Sequence, residues 1–295
     1  MPRGEGMAPV DHASTDTIDS DLAPCLYLDL MKRCLTRSLF PEAVRKAVVS
    51  PRLRGQPLAW SVYSLLKRLM DPLGLELSRR GNEAERAAGR DWPADADTMV
   101  GLARLNNLQD CVMDVLRTAV PGDLIETGAW RGGACIFMRA ILKAYGNQDK
   151  TVWVADSFQG LPKPDGRFGQ DAPDPHWKYA GVLAVPIEQV KRNFERYGLL
   201  DSQVRFLTGW FRETLPSAPI RQISVLRLDA DMYSSTMDAL SALYPKLSLG
   251  GYAIVDDYGA VPACQQAVDD YRREQGIREA LREIDWTGVY WKRSG

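Results

Sequence analysis

Histidine is almost missing from this 295-residue chain; only His12 and His176 occur. Neither falls in the acidic strand-end motifs described below, which argues against a zinc site built on imidazole. Cysteine is sparse as well. Cys25, Cys34, Cys111, Cys135 and Cys264 are odd in number and scattered, and no pair has the C-x-x-C spacing of a zinc or redox site. They are expected as reduced thiols buried like small apolar residues, in a cytoplasmic protein. No apolar run approaches the roughly 20 residues needed to cross a bilayer, and the N-terminus lacks a signal-peptide core. No sign of charge dominates: 37 basic residues face 38 acidic ones, for a net charge of −1. Nucleic acid and anionic membrane surfaces are therefore excluded as partners, leaving small molecules or other proteins.

The composition that remains, 45% hydrophobic and 25% charged, is that of a globular chain. Residues 1–24 read as a loose leader rich in Pro, Gly, Asp, Ser and Thr. Residues 25–97 read as an N-terminal helical extension, with apolar helical spacing at Leu26–Leu39 and Ala59–Met70. Within it, 78–97 is polar and charged and is expected as an exposed connection. From residue 98 to 295 the pattern is regular. Helical spacing covers Leu102–Leu116, Gly133–Tyr145, Ile187–Tyr197, Ser235–Tyr244 and Ala263–Arg273. Buried strands are expected at Asp123–Thr127, Thr151–Asp156, Val204–Leu207, Ile223–Leu228 and Tyr252–Val255, with a hairpin strand near Ile284–Trp291.

Alternating strands and helices predict an α/β fold with a mostly parallel sheet covered on both faces. Ligands then bind beyond the carboxyl ends of the strands, at the switch point. The first strand ends Glu126-Thr127-Gly128-Ala-Trp-Arg-Gly-Gly. This is G-x-x-x-G-G after a carboxylate, not the G-x-G-x-x-G of a dinucleotide loop. An acidic entrance suits a cationic ligand such as S-adenosylmethionine, with its sulfonium and ammonium groups. The second strand ends at Asp156, where an acid can accept from two ribose hydroxyls. A plain βα turn and a helix cap would explain the same residues, and NAD stays possible at this point.

The fourth strand ends Leu226-Arg-Leu-Asp229-Ala-Asp231 and the fifth ends Ile254-Val-Asp256-Asp257. Singly, each Asp could be a helix cap. Together they bring four carboxylates to one rim, where mutual repulsion raises their pKa values unless a cation intervenes. An all-oxygen donor set suits a hard cation such as Mg²⁺.

The segments DLIETGAWRGGACIFMRAILKAYG (123–146), VADSFQGLP (154–162), GWFRETLP (209–216), LRLDADMYSSTMDALSALYPKLSLGGYAIVDDY (226–258) and IDWTGVYWK (284–292) resemble the macrocin O-methyltransferase family. Its members are Mg²⁺-dependent sugar-hydroxyl methyltransferases of natural-product pathways, including mycinamicin and aminocoumarin tailoring enzymes. The likeness runs from Trp92 to Lys292, more faintly over Leu26–Phe40. It implies the Rossmann-like class I S-adenosylmethionine-methyltransferase fold, with a seven-stranded sheet. It implies that Asp229, Asp256 and Asp257 ligate Mg²⁺ and that Asp231 is the general base. It also implies that Glu126 and Gly128, with Thr127 between them, and Asp156, with Ser157 beside it, bind S-adenosylmethionine. The acceptor would be the hydroxyl of a glycosylated small molecule, and the protein a homo-oligomer.

Two other readings stand beside this one: an NAD-dependent oxidoreductase, and a non-catalytic protein that keeps the fold. The loop 165–183 is expected near the acceptor, with Trp177 and Tyr179 as a candidate lid. Trp286, Tyr290 and Trp291 are expected in the sheet and core.

Overall fold

The computed structural model describes residues 22–39, 44–46, 57–73, 78–80, 82–91, 95–164, 166–171, 177 and 180–295. Its sheet strands are β1 (Asp123–Thr127), β2 (Val152–Asp156), β3 (Val204–Thr208), β4 (Ile223–Leu228), β5 (Leu247–Val255), β6 (Arg282–Glu283) and β7 (Val289–Lys292). The helices are α1 (Leu22–Leu35), α2 (Pro57–Met70), α3 (Glu83–Ala87), α4 (Leu102–Arg117), α5 (Gly133–Ala144), α6 (Ala180–Leu183), α7 (Ile187–Arg196), α8 (Phe211–Thr214), α9 (Tyr233–Leu243) and α10 (Pro262–Glu274). A short antiparallel ribbon pairs Val44–Lys46 with Ser78–Arg80.

The seven strands lie in the order β3-β2-β1-β4-β5-β7-β6, with the first five parallel and β7 and β6 antiparallel. The fold is thus α/β, with the seven-stranded, mostly parallel sheet that the motifs suggest. The chain moves outward from β1 through β2 to β3, then crosses to the other side of β1 for β4. The switch point is therefore the crevice between the carboxyl ends of β1 and β4.

Alternate residues of each strand feed two cores, as the period of two requires. Leu124, Val152, Val154 and Val225 face one core with α4, α5 and α7; Ile125, Ala155, Leu226 and Val255 face the other with α9 and α10. Helix α5 is buried from Gly133 to Leu142 on every side. A helix that is apolar all round needs cover on its outer face, and α1 supplies it with Leu28, Met31 and Leu35. Burial of three such side chains stabilises by about 1.5–3 kcal/mol each. Asp201 accepts from the buried Arg139 of α5 at 2.6 and 2.9 Å, which ties β3's approach to that helix.

The structure departs from the sequence reading in several places. Helix α1 runs from Leu22 to Leu35, a turn earlier than the spacing suggested, because Leu28, Met31 and Leu35 are the residues that meet α5. The stretch 78–97 is not simply an exposed connection: Arg86, Asp91, Ala96 and Asp97 are buried, and Arg196 and Tyr197 both donate to Asp97. Trp291 is fully buried and Tyr290 half-buried, but Trp286 is 43% exposed, in the turn between β6 and β7. All five cysteines are free, yet Cys25 is exposed and Cys34 half-buried. Residues 22–24, expected in the leader 1–24, form the start of α1, while residues 1–21, Trp92, His176 and Tyr179 lie outside the described residues.

Candidate active site

At the crevice the two central strands touch. Asp229 N donates to Thr127 O at 2.8 Å. Gly128 has φ 88°, and a Cβ built on it would lie 1.6 Å from the Asp229 carbonyl oxygen. Only glycine fits there. The loop that follows turns with Trp130 and Gly132 at positive φ. Asp156, at the end of β2, organises this loop: its Oδ2 accepts from Ala129 N at 2.7 Å and Trp130 N at 3.2 Å, and its Oδ1 from Phe158 N at 2.7 Å. Burial pushes the Asp156 carboxyl up, and these backbone donors partly offset the push.

A cavity of about 310 Å³ opens over the crevice, and Gly128, Asp156, Ser157, Asp229 and Asp231 line it. Ser157 Oγ donates to Gly160 O at 2.9 Å and so shapes the next turn. Glu126 and Thr127 were expected at the ligand, but they sit beneath the cavity floor, 2% and 0% exposed. The reason is electrostatic. Arg227, near the carboxyl end of β4, is buried and needs counter-charges. It pairs with Glu126 and Asp256, and donates to Asp229 Oδ2 at 2.9 Å. Cys135 Sγ also donates to Glu126 at 2.8 Å. Burial raises the Glu126 carboxyl to about 7.

Of the four expected acids, Asp229, Asp231 and Asp257 converge, each offering an oxygen within 4.8 Å of the others. Burial and Asp256 push Asp229 up to about 6, against the pull of Arg227. Burial and the charges of Asp231 and Asp229 push Asp257 well above the usual carboxylate range. The Asp257 Oδ2 atom is buried without a hydrogen-bond partner. Like charges gathered around an orphaned oxygen suit a hard divalent cation. Asp231 itself has φ 53°, the left-handed region, which is rare outside glycine and common at functional sites.

Asp256 differs from the expectation. One oxygen faces Arg104 and the other Arg227, and Arg104 Nε also donates to Asp285 at 3.0 Å. The sequence reading passed over both arginines. Arg227 carried a signal, because a charge inside the apolar run of a central parallel strand must find buried partners. Arg104 carried none, as one basic residue on an amphipathic helix looks like any other. Of the loop 165–183, Arg167 and Leu183 line the cavity, while Trp177 is half-buried.

Residues 25–293 match the model of the macrocin-O-methyltransferase (TylF) family. The 8-demethyl-8-(2,3-dimethoxy-alpha-L-rhamnosyl)-tetracenomycin-C 4'-O-methyltransferase of Streptomyces olivaceus is 51% identical over 90% of this chain and 92% of its own. The demethyldecarbamoylnovobiocin O-methyltransferase of Streptomyces niveus is 48% identical over 98% of this chain and 100% of its own. The mycinamicin III 3''-O-methyltransferase of Micromonospora griseorubida is 48% identical over 91% of this chain and 96% of its own. The solved structure of the O-methyltransferase NovP, 46% identical, superposes with a TM-score of 0.76 over 92% of this chain and 100% of that one. An oxidoreductase and an inert scaffold are therefore the weaker readings. The chain belongs to the macrocin-O-methyltransferase (TylF) family and is an O-methyltransferase of the natural-product tailoring type.

Proposed function

We propose that the chain methylates a sugar hydroxyl of a glycosylated natural product, with S-adenosylmethionine as donor and a divalent cation such as Mg²⁺ in the acidic corner. The reading rests on one observation: Asp229, Asp231 and Asp257 converge beside the cavity that Gly128 and Asp156 line. The relatives' names support the acceptor class, since one carries a rhamnosyl group in its substrate name.

In this reading Gly128, Asp156 and Ser157 touch the cofactor, with Asp156 accepting from ribose hydroxyls. Glu126 and Thr127 act from below, by fixing Arg227 and the end of β1. Asp229 and Asp257 are the first ligands of the cation. Asp256, which pairs with Arg104 and Arg227, would be the third acid to hold it. When bound, the cation lowers the cost of negative charge on the acceptor oxygen. Asp231 accepts the hydroxyl proton as the new O–C bond forms and the S–C bond of the sulfonium breaks, leaving a neutral thioether. General-base assistance of this kind contributes roughly 10²–10⁴-fold.

A calorimetric titration of S-adenosylhomocysteine, with Mg²⁺ and with EDTA and with NAD as control, tests the cofactor. Binding of the thioether product and not of NAD is the expected result; no binding in either buffer would overturn the reading.

The protein is further proposed to be a homo-oligomer. Leu26 and Leu30 of α1 and Leu65 and Leu69 of α2 are half or more exposed, on helices of a chain whose relatives keep nearly the same length. A second copy would cover them, and light scattering after size exclusion decides between one copy and several. No helix among the described residues is long and apolar enough to cross a membrane.

A further inference from the structure

Helix α9 starts without a cap of its own. Its N-cap residue, Met232, makes no side-chain hydrogen bond to the helix, and the first N–H groups of any helix need acceptors from outside it. The acceptor arrives from a distant part of the chain. Asp171 presents both carboxylate oxygens to Ser234 N, each at 3.3 Å, and is 1% exposed. A buried carboxylate at the positive end of a helix is favourably placed.

Two more contacts bind the same short segment, 166–171, to α9. Arg167 donates from both terminal nitrogens to the two oxygens of Asp238 at 2.9 Å. The Phe168 ring lies 5.1 Å from that of Tyr233. The segment thus straps the first turn and a half of α9.

What this helix start carries is Asp231, two residues before it and held at φ 53°. Met232 N donates to Ala230 O at 2.6 Å, so the turn between β4 and α9 is tight. A left-handed aspartate persists only where its surroundings over-determine it. Behind Asp231 that constraint comes from the fixed helix start. Asp171 itself lies outside the cavity wall.

We propose that Asp171 is a positioning residue: by anchoring the α9 N-terminus it holds Asp231 in its left-handed conformation and keeps its carboxylate aimed into the cavity. The proposal rests on the reading of Asp231 as the proton acceptor.

The experiment compares the wild type with Asp171→Ala, Asp171→Asn and Asp231→Asn, reading kcat, KM for the glycoside acceptor, S-adenosylhomocysteine affinity and hydrogen exchange over 231–238. Asp171→Ala should lower kcat about 10- to 100-fold, the range expected when a reacting group is misplaced by an ångström. It should leave S-adenosylhomocysteine affinity unchanged and speed exchange over 231–238. Asp171→Asn keeps one acceptor oxygen and should restore most of kcat. If Asp171→Ala fails to fold, Phe168→Ala loosens the same strap from a half-buried site and should show the same loss of kcat with faster exchange. Wild-type kcat in the strap variants, with Asp231→Asn inactive, would overturn the positioning role and leave the base reading standing. An active Asp231→Asn enzyme would overturn the base reading and, with it, this role for Asp171.

Discussion

Gly128 and Asp229 are in backbone contact across the switch point, so close that a Cβ on residue 128 would lie 1.6 Å from the Asp229 carbonyl oxygen. The donor side of the cavity and its acidic side are therefore one rigid corner. Gly128→Ala must push the strands apart and also adopt φ 88°, a conformation disfavoured for alanine. We expect a stability loss of about 2 kcal/mol or more, from strain and the forced shift together. Calorimetry should also show loss of S-adenosylhomocysteine binding; a variant that binds and melts like the wild type would contradict the contact.

Asp257 lies in a cluster of like charges with an unpartnered oxygen. Removing its charge should stabilise the cation-free protein. Asp257→Asn is expected to raise the melting temperature in EDTA and to lose the further rise that Mn²⁺ or Mg²⁺, as the proposed cation, should give the wild type. That rise corresponds to about 2.7 kcal/mol at a cation concentration 100 times Kd. A variant that melts lower in EDTA and still responds to the cation would show that Asp257 is no ligand.

Arg227 serves three carboxylates at once, those of Glu126, Asp229 and Asp256. An ammonium group cannot reproduce that fork. Arg227→Lys keeps the charge but loses hydrogen bonds of the fork, and is therefore expected to destabilise by about 1.5–3 kcal/mol. Denaturant unfolding measures this, and a loss below 1 kcal/mol would mean the network relaxes around lysine.

The Arg139–Asp201 pair predicts a pH dependence. Hydrogen bonds from Arg139 hold the Asp201 carboxyl below its usual range. A depressed carboxyl adds stability above its unfolded pKa of about 3.9 and loses it as pH falls through the folded value. Asp201→Asn should thus lower the melting temperature at neutral pH, and the gap to wild type should close below about pH 4. Asp201 is partly exposed, so solvent screens the effect and the shift should be modest. A gap that persists at low pH would assign the contribution to packing.

The parallel strands were legible because their apolar runs end in glycine or aspartate, and the sheet order placed those ends together as the pattern implied. The acids at 229, 231 and 257 were legible for the same reason. Which carboxylate faces which partner was not. Glu126 and Asp256 turn toward arginines that sequence spacing cannot pair with them, since Arg104 and Asp256 are 152 positions apart. The role of Asp171 was hidden as well, because a cap supplied from outside a helix leaves no local signature. Trp286 looked like core because aromatic residues usually are; here the turn between β6 and β7 presents it to Ala88 O instead.

Arg104 links Asp285 and Asp256, and through Asp256 it meets Arg227 at the corner of the cavity. Its partner Asp285 lies 181 positions away, in the turn that precedes the final strand. The charge balance at the candidate site is therefore complete only with the β6–β7 ribbon docked on β5. With the ribbon undocked, Arg104 would keep Asp256 and lack Asp285, its second carboxylate. The order of this outermost ribbon and the charge at the cavity corner are thus joined through one guanidinium.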